Sequence, residues 1–362
     1  MKRICSILLI CVWAALAGFA WFGPVKEISE AERRPLAKRP EVSAQTVANG
    51  SFMEKFEDYA VDQFPMRDTF RRIKSMFHTY ALGQKDNNGI YIADGYAVKQ
   101  EYPINENSVE HFIERMNYLR DKYLGDSKVV MAIVPDKGNY LAAGSGHLAL
   151  DYDALSGMIG EGMSWAELVD LRDTLTASDY YRTDTHWRQE KLFPAAGKLA
   201  GALGVTAPDP GDSTAIAMER PFYGVYYGQA ALPMEPETLY VMESQLLSQC
   251  TVYDHESGKT LGIYDWDKAA SSRDMYDVFL SGSKSLLTIE NPNGIPGKEL
   301  IVFRDSFGSS MVPLLIGDYE KVTVVDIRYI RIDMLERFLE FQGQDVLMLY
   351  STLVLNQSSQ IQ

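Results

Sequence analysis

The sequence predicts an α/β protein: a doubly wound parallel sheet flanked by helices, preceded by an N-terminal membrane anchor. Three observations predict it. An uncharged run, Ile4 to Phe22, follows Lys2 and Arg3. A second apolar run, Val129 to Pro135, directly follows an amphipathic helical pattern. From Leu300 to Tyr350 the pattern reads strand, helix, strand, helix, strand, the alternation that builds doubly wound sheets.

Composition sets the outer bounds. The chain has 362 residues, 46% hydrophobic and 23% charged, which is ample for a large core. A net charge of -14 argues against a nucleic-acid binder, which carries a basic stripe. Of three cysteines, Cys5 and Cys11 lie in the first apolar run, leaving Cys250 alone. One thiol forms no internal disulfide, and no CxxC pair offers a zinc site, so the soluble part must hold by packing.

A basic flank before an apolar run is the pattern of an export signal. The run reaches the roughly 17–25 residues that span the hydrocarbon layer. Ala15-Leu16-Ala17 provides a cleavage site if the segment is removed. The expectation is an uncleaved anchor over 1–23, with Lys2 and Arg3 cytoplasmic and the remainder outside the cell membrane. Cleavage would make the protein secreted. Residues 24–50 are polar and irregular and read as a stalk, and 51–355 as the main domain. Within it, Phe52, Phe56 and Tyr59 recur at helical spacing, as do Phe70, Ile73, Met76, Phe77 and Tyr80. Phe64-Pro65 separates the two helices, and both stripes are expected to face a core.

Gly89–Ile92 and Gly95–Val98 predict a hairpin around Ala93-Asp94. Asn107 or Ser108 then caps a helix with Val109, Phe112, Ile113, Met116, Leu119 and Tyr123 on one face, stopped by Gly125. The run from Val129 is continuous, as in a strand buried on both sides. Residues 205–295 read as an inserted region of loops and short strands. Leu300–Phe303, Val322–Asp326 and Asp345–Tyr350 are predicted strands, with helices over Ser306–Leu315 and about Asp333–Phe341. Pro313 fits the first of these helices if it falls in the first turn.

In open α/β sheets function gathers at the carboxyl ends of strands. There stands Arg304-Asp305-Ser306-Phe307-Gly308. A serine at such a turn either exposes its hydroxyl beside amides aimed at the same point or merely caps the helix. Position alone leaves the two even. The segment half-matches the G-x-S-x-G elbow, with Arg304 in place of the first glycine. All five histidines precede Ser306, which excludes the Ser, acid, His order of that family. Asp184 and His186, in Tyr180–Trp187 (YYRTDTHW), supply an acid and a base. Residues two apart on an extended segment point the same way. Asp254 and Glu256 flank His255 directly, so they point away from it. His78 and His111 sit on helical patterns, and His147 lies in a Gly/Ser loop. No HExxH or paired Cys/His pattern is present.

Together YYRTDTHW, RDSFG and VLMLYS resemble the DHHW family and its relatives, the AlgJ/AlgX-type alginate O-acetyltransferases. These are SGNH-hydrolase-like proteins of the bacterial envelope. The likeness runs from about Phe52 to Tyr350 and includes FEDYAVDQFPMRD, NGIYIADGY and VPDKGNYL. It implies an SGNH-like sheet and an acyl-transfer triad of Ser306, His186 and Asp184. It further implies an acetyl group moved to a hydroxyl of an exported polysaccharide, and a membrane-bound O-acyltransferase partner delivering it. No cofactor is implied. Thr185 stands where the name-giving motif has its first histidine. Ser283, after Phe279-Leu280-Ser281-Gly282, stands where the family usually has asparagine.

Further site candidates are Gly282 and Ser283 as oxyanion donors. Arg304, Lys137, Tyr181 and Trp187 are candidate cleft residues, and Tyr223, Tyr226 and Tyr227 a sugar-stacking surface. Two other functions compete: an acetyl esterase using the same triad, and a non-catalytic envelope scaffold.

Overall fold

The apolar runs form the sheet their patterning predicts. In the computed structural model, which describes residues 2–29, 31–125 and 127–362, eight strands join in one sheet. In chain order they are β1 (Val129–Val134), β2 (Glu167–Asp170), β3 (Thr251–Asp254), β4 (Lys259–Leu261), β5 (Leu286–Glu290), β6 (Ile295–Arg304), β7 (Tyr319–Val325) and β8 (Asp345–Ser351). Their spatial order is β4-β3-β5-β7-β6-β8-β1-β2. The five from β7 to β2 are mutually parallel. The other three add to one edge in antiparallel register. The region 205–295 is therefore only partly a loop insertion. It contributes three strands to the main sheet, and Ser213–Ala217 pairs with Tyr240–Ser244 separately.

Alternation along each strand sorts its side chains into two cores. Val130, Ala132 and Val134 of β1, with Val302 and Leu349, pack against the helices Phe193–Leu203 and Gly308–Leu315. Val129, Met131 and Ile133, with Phe303 and Met348, pack against Glu106–Tyr123 and Tyr152–Gly162. Helices on both faces are what a run like β1, buried throughout, requires. Chain connections leave β6 toward β7 on one side and β1 toward β2 on the other. In open sheets of this kind ligands bind past the carboxyl ends of the strands, and β6 ends in this way at Arg304.

Some local expectations change. Asn105, rather than Asn107 or Ser108, caps the helix from Glu106, through its carbonyl oxygen and Ser108 N–H. The helix expected near 333–341 is a short 3-10 turn, Ile332–Arg337. Pro313 is the sixth residue of Gly308–Leu315, beyond the first turn. The hairpin forms as expected, Ile90–Ala93 with Tyr96–Lys99, its Asp94-Gly95 turn having positive φ at both residues.

The chain divides into two units, residues 1–90 with 227–234, and 91–226 with 235–362. The second holds the sheet. In the first, the apolar run forms helix α1 (Lys2–Phe22), with Ile7, Leu8, Ile10 and Trp13 exposed. The flanking side chains of Lys2 and Arg3 lie outside the described residues. Among the described residues no helix is long and apolar enough to cross a membrane. The segment read as a stalk carries structure: Arg34 and Arg67 share Asp62. Helices α2 (Ser51–Asp62) and α3 (Arg67–Met76) follow. The second aromatic stripe is not core: Phe70, Ile73, Met76, Phe77 and Tyr80 are all exposed. Periodicity identifies a helix face but not what covers it.

Candidate active site

Asp184 and His186 meet, though not on an extended strand. Tyr180 and Trp187 form an isolated antiparallel bridge, and the chain between them bends tightly. Asp184 Oδ1 accepts the His186 backbone N–H at 3.0 Å, an Asx turn that folds the side chain of one onto the other. The same oxygen lies 2.6 Å from His186 Nδ1. Asp184 Oδ2 accepts the Val225 N–H at 2.7 Å. His186 Nε2 lies 2.8 Å from Ser306 Oγ, across 120 residues of sequence.

Ser306 follows the end of β6 and is half-buried. It is not the helix cap: the cap position is Phe307, with no side-chain cap bond. Asp305 fixes the turn instead. Its carboxylate accepts the N–H of Phe307 and of Ser351 at the end of β8. A side chain at Gly308 would press into the Arg304 side chain, so the sharp entry to the helix needs glycine there. Among the described residues the Ser306 N–H has no acceptor.

The loop bearing the acid and base is bolted from several directions. Lys137 Nζ donates to the carbonyls of Tyr181 (2.9 Å) and Asp184 (2.7 Å), with Arg182 O at 3.4 Å. Its ammonium lies over the rings of Tyr96 and Tyr226. Burial pulls its pKa down to about 7, against the favourable charges of Asp184, Glu237 and Asp136. Glu237 accepts the N–H of Arg182 and of Thr183 and the Thr183 hydroxyl. Trp187 Nε1 donates to Phe307 O and Ser310 Oγ, tying the loop to the helix that follows Ser306. Tyr276 stacks on the His186 ring at 3.9 Å and 9°. Its hydroxyl meets Ser310 Oγ.

Several sequence candidates thus have other positions than expected. Lys137, Tyr181, Trp187 and Arg304 are buried and do not line the cleft. Trp187 spends its indole N–H on the neighbouring helix, and Tyr181 packs in the core against Phe222. Arg304 faces Asp326 at 3.7 Å and the carbonyls of Asp305 and Gly282, and desolvation lowers its pKa. Gly282 donates its N–H to Phe279 O, which removes it as an oxyanion donor. Leu280, Ser281 and Gly282 all have positive φ, a left-handed turn held by Asp265, Lys268 and Arg304. Ser283 follows this turn and is exposed. Tyr223 is exposed one residue before Gly224, whose backbone lies against Asp184. Tyr226 is buried and bonds Thr185 Oγ1 at 3.0 Å. Tyr227 belongs to the first unit, where Arg72 donates to its hydroxyl. His78, His111 and His255 bond Gln84, Ser358 and Thr288. Among the described residues no cluster of His, Cys, Asp and Glu could hold a metal ion.

Sequence reasoning missed Tyr276, Gly224, Val225 and Glu237. All lie in the region that read as insertion, where no local spacing ties them to the triad residues.

Comparison with known proteins places the fold. The DHHW protein family model matches residues 161–325. A DHHW family protein from Eubacterium siraeum superposes with a TM-score of 0.60 at 22% identity, covering 76% of this chain and 95% of that one. PatB1 from Bacillus cereus, solved with a sulfonyl adduct, gives 0.58 at 17% identity, over 74% and 97%. The O-acetyltransferase domain of Pseudomonas putida AlgJ gives 0.45 at 15%, over 74% and 92%. No curated protein matches by sequence. The resemblance to the DHHW family and its relatives, read from the motifs, is borne out, and the chain has their mixed α/β fold around a mostly parallel sheet.

Proposed function

We propose that the chain is an extracytoplasmic O-acetyltransferase that moves an acetyl group onto a hydroxyl of a cell-envelope or exported polysaccharide. The observation that carries this is the continuous relay from Asp184 Oδ1 through both His186 nitrogens to Ser306 Oγ, at 2.6 and 2.8 Å. Ser306 Oγ attacks the donor's acetyl carbonyl as its proton passes to His186 Nε2. Asp184 stabilises the imidazolium. The Ser306 amide, with Ser283 beyond the left-handed turn, receives the oxyanion; one such donor contributes on the order of 2.7–4 kcal/mol. Collapse returns the proton to the departing donor oxygen and leaves acetyl on Ser306. A sugar hydroxyl then gives its proton to His186 and attacks that ester, restoring Ser306 Oγ–H. Tyr223, exposed beside the site, offers the sugar a stacking face.

The match to the DHHW family model and the fold shared with PatB1, solved with a sulfonyl adduct, agree with this reading. A membrane-bound acyltransferase supplies acetyl, and α1 anchors the chain with the catalytic unit outside.

The test treats the full chain with an aryl sulfonyl fluoride, then with an acetyl ester with and without a polysaccharide acceptor. Labelling confined to Ser306 and acceptor-dependent acetyl transfer are expected, both absent from Ser306→Ala. Free acetate at the same rate without acceptor would make it an esterase. No labelling, together with an intact phenotype in Ser306→Ala, would make it a scaffold.

A further inference from the structure

Helix α3 is inside out. Successive helical residues advance by about 100°, so positions four apart share a face. Arg71 and Ser75 form the face that packs: Arg71 donates to the carbonyls of Gly228 and Gln229, and Ser75 to Ala230 O. The polar side is therefore turned in. The opposite side carries Phe70, Ile73, Met76 and Phe77, and the π-helical turn Phe77–Ala81 extends it to Tyr80. These five side chains are between 44% and 69% exposed, which no packing need within the unit explains. A groove of about 1010 Å³ beside them is lined by Met53, Phe56, Val61 and Phe64, with Glu54 and Glu57 of α2 and Lys74 of α3.

The surrounding charge identifies the occupant. From Arg67 to Lys85 there are five basic residues (Arg67, Arg71, Arg72, Lys74, Lys85) and one acidic, Asp68; Arg67 and Arg71 pair with Glu32, so the cations bordering the stripe itself are Arg72 and Lys74. Arg72 and Lys74 flank the apolar stripe on its two sides. A second copy of this face would oppose the same cations across a two-fold interface. An anionic lipid surface complements them, and an apolar stripe rimmed with Arg and Lys is the design of a helix lying in that interface. Exposed apolar α1 belongs to the same unit.

We propose that the Phe70–Tyr80 stripe lies in the interface of a bilayer containing anionic lipid, holding the first unit flat on the membrane as a second contact beside α1. This does not depend on the acyl-transfer reading.

The experiment reconstitutes the full chain in vesicles of phosphatidylcholine with or without phosphatidylglycerol. Tryptophan is placed at the stripe by Phe77→Trp and, as control, at Tyr329→Trp, exposed in the other unit. Vesicle binding through α1 is common to all variants, so the readout is quenching of the added tryptophan by lipids with brominated acyl chains. Expected is loss of about half the Phe77→Trp emission with a blue shift, since interfacial helices bury their apolar face to the acyl boundary. With the wild-type signal subtracted, since α1 brings its own Trp13 to the bilayer, the control's added tryptophan should stay unquenched, and Lys74→Glu should reduce the effect in vesicles containing phosphatidylglycerol. Thermal melts verify that the exposed substitutions leave the fold intact. Failure of brominated lipid to quench Phe77→Trp would overturn the proposal. So would equal quenching of the control. Protection from both lipid and acrylamide in a dimeric chain would reassign the stripe to a second copy.

Discussion

The Lys137 ammonium donates to the main-chain carbonyl of Asp184 at 2.7 Å, from a position buried beneath the loop that carries the acid and base. A lysine thus acts where a bound cation would, gathering carbonyls of one loop. Lys137→Met should slow acylation of Ser306 by about 10²-fold through misplacement of the relay, with substrate KM little changed. Its titration gives a second readout. An unfolded lysine keeps its proton to about 10.4, whereas buried Lys137 releases it at about 7. Between those pH values the unfolded chain binds more protons, so stability rises with pH. The unfolding free energy of wild type minus that of Lys137→Met should climb from pH 7 toward 10 and be flat below 7. A difference independent of pH in denaturant titrations would refute the lowered pKa of Lys137.

Asp184→Asn should retain the fold and lose acyl transfer by about 10⁴-fold, because the amide no longer enforces the imidazole tautomer that accepts the serine proton. Matched melting curves with residual labelling of Ser306 at full wild-type rate would contradict this.

Gly224→Ala tests the second support of the acid. A methyl there collides with the side chain and backbone of Asp184, neither of which is a flexible end that can swing aside. A cost of about 1–3 kcal/mol in stability is expected. Val225 N–H should lose Asp184 Oδ2, and sulfonyl labelling should slow with it. An unchanged melting temperature would show that the loop yields.

Tyr276→Phe keeps the ring stacked on His186 and loses only the bond to Ser310; Tyr276→Ala loses the stack. Such a pair contributes about 0.5–1.5 kcal/mol. Acylation by Tyr276→Ala should therefore drop up to about tenfold, and Tyr276→Phe should stay near wild type. Equal losses in both would assign the effect to the hydroxyl.

What could be read from the sequence followed from local rules. β1, β6, β7 and β8 announce themselves because strands buried on both faces are apolar throughout. Ser306 was legible from its place past a strand end, and Asp184 with His186 from their separation. The path was misread, because an Asx turn rather than an extended strand brings the two side chains together. Lys137 and Arg304 were misplaced because a charged residue near a strand end looks like a cleft residue until its buried partners are known. Strands β3, β4 and β5 are short, and their membership of the main sheet is set by the pairing of β5 with β7, of β3 with β5 and of β4 with β3, contacts no local pattern encodes. Phe70 to Tyr80 gave the correct helix and the wrong side, since periodicity is blind to which face is covered.

The acid and base close on each other within three residues, but the hydroxyl arrives from the tip of a central strand. Slipping β6 by a single residue against its neighbours would send every one of its side chains to the reverse face and swing Ser306 away, while leaving the Asp184–His186 turn undisturbed. Alignment of one strand is thus the on–off condition for the proposed acyl transfer. A molecule kinetically trapped with that strand out of step would look native by far-ultraviolet dichroism and be inert.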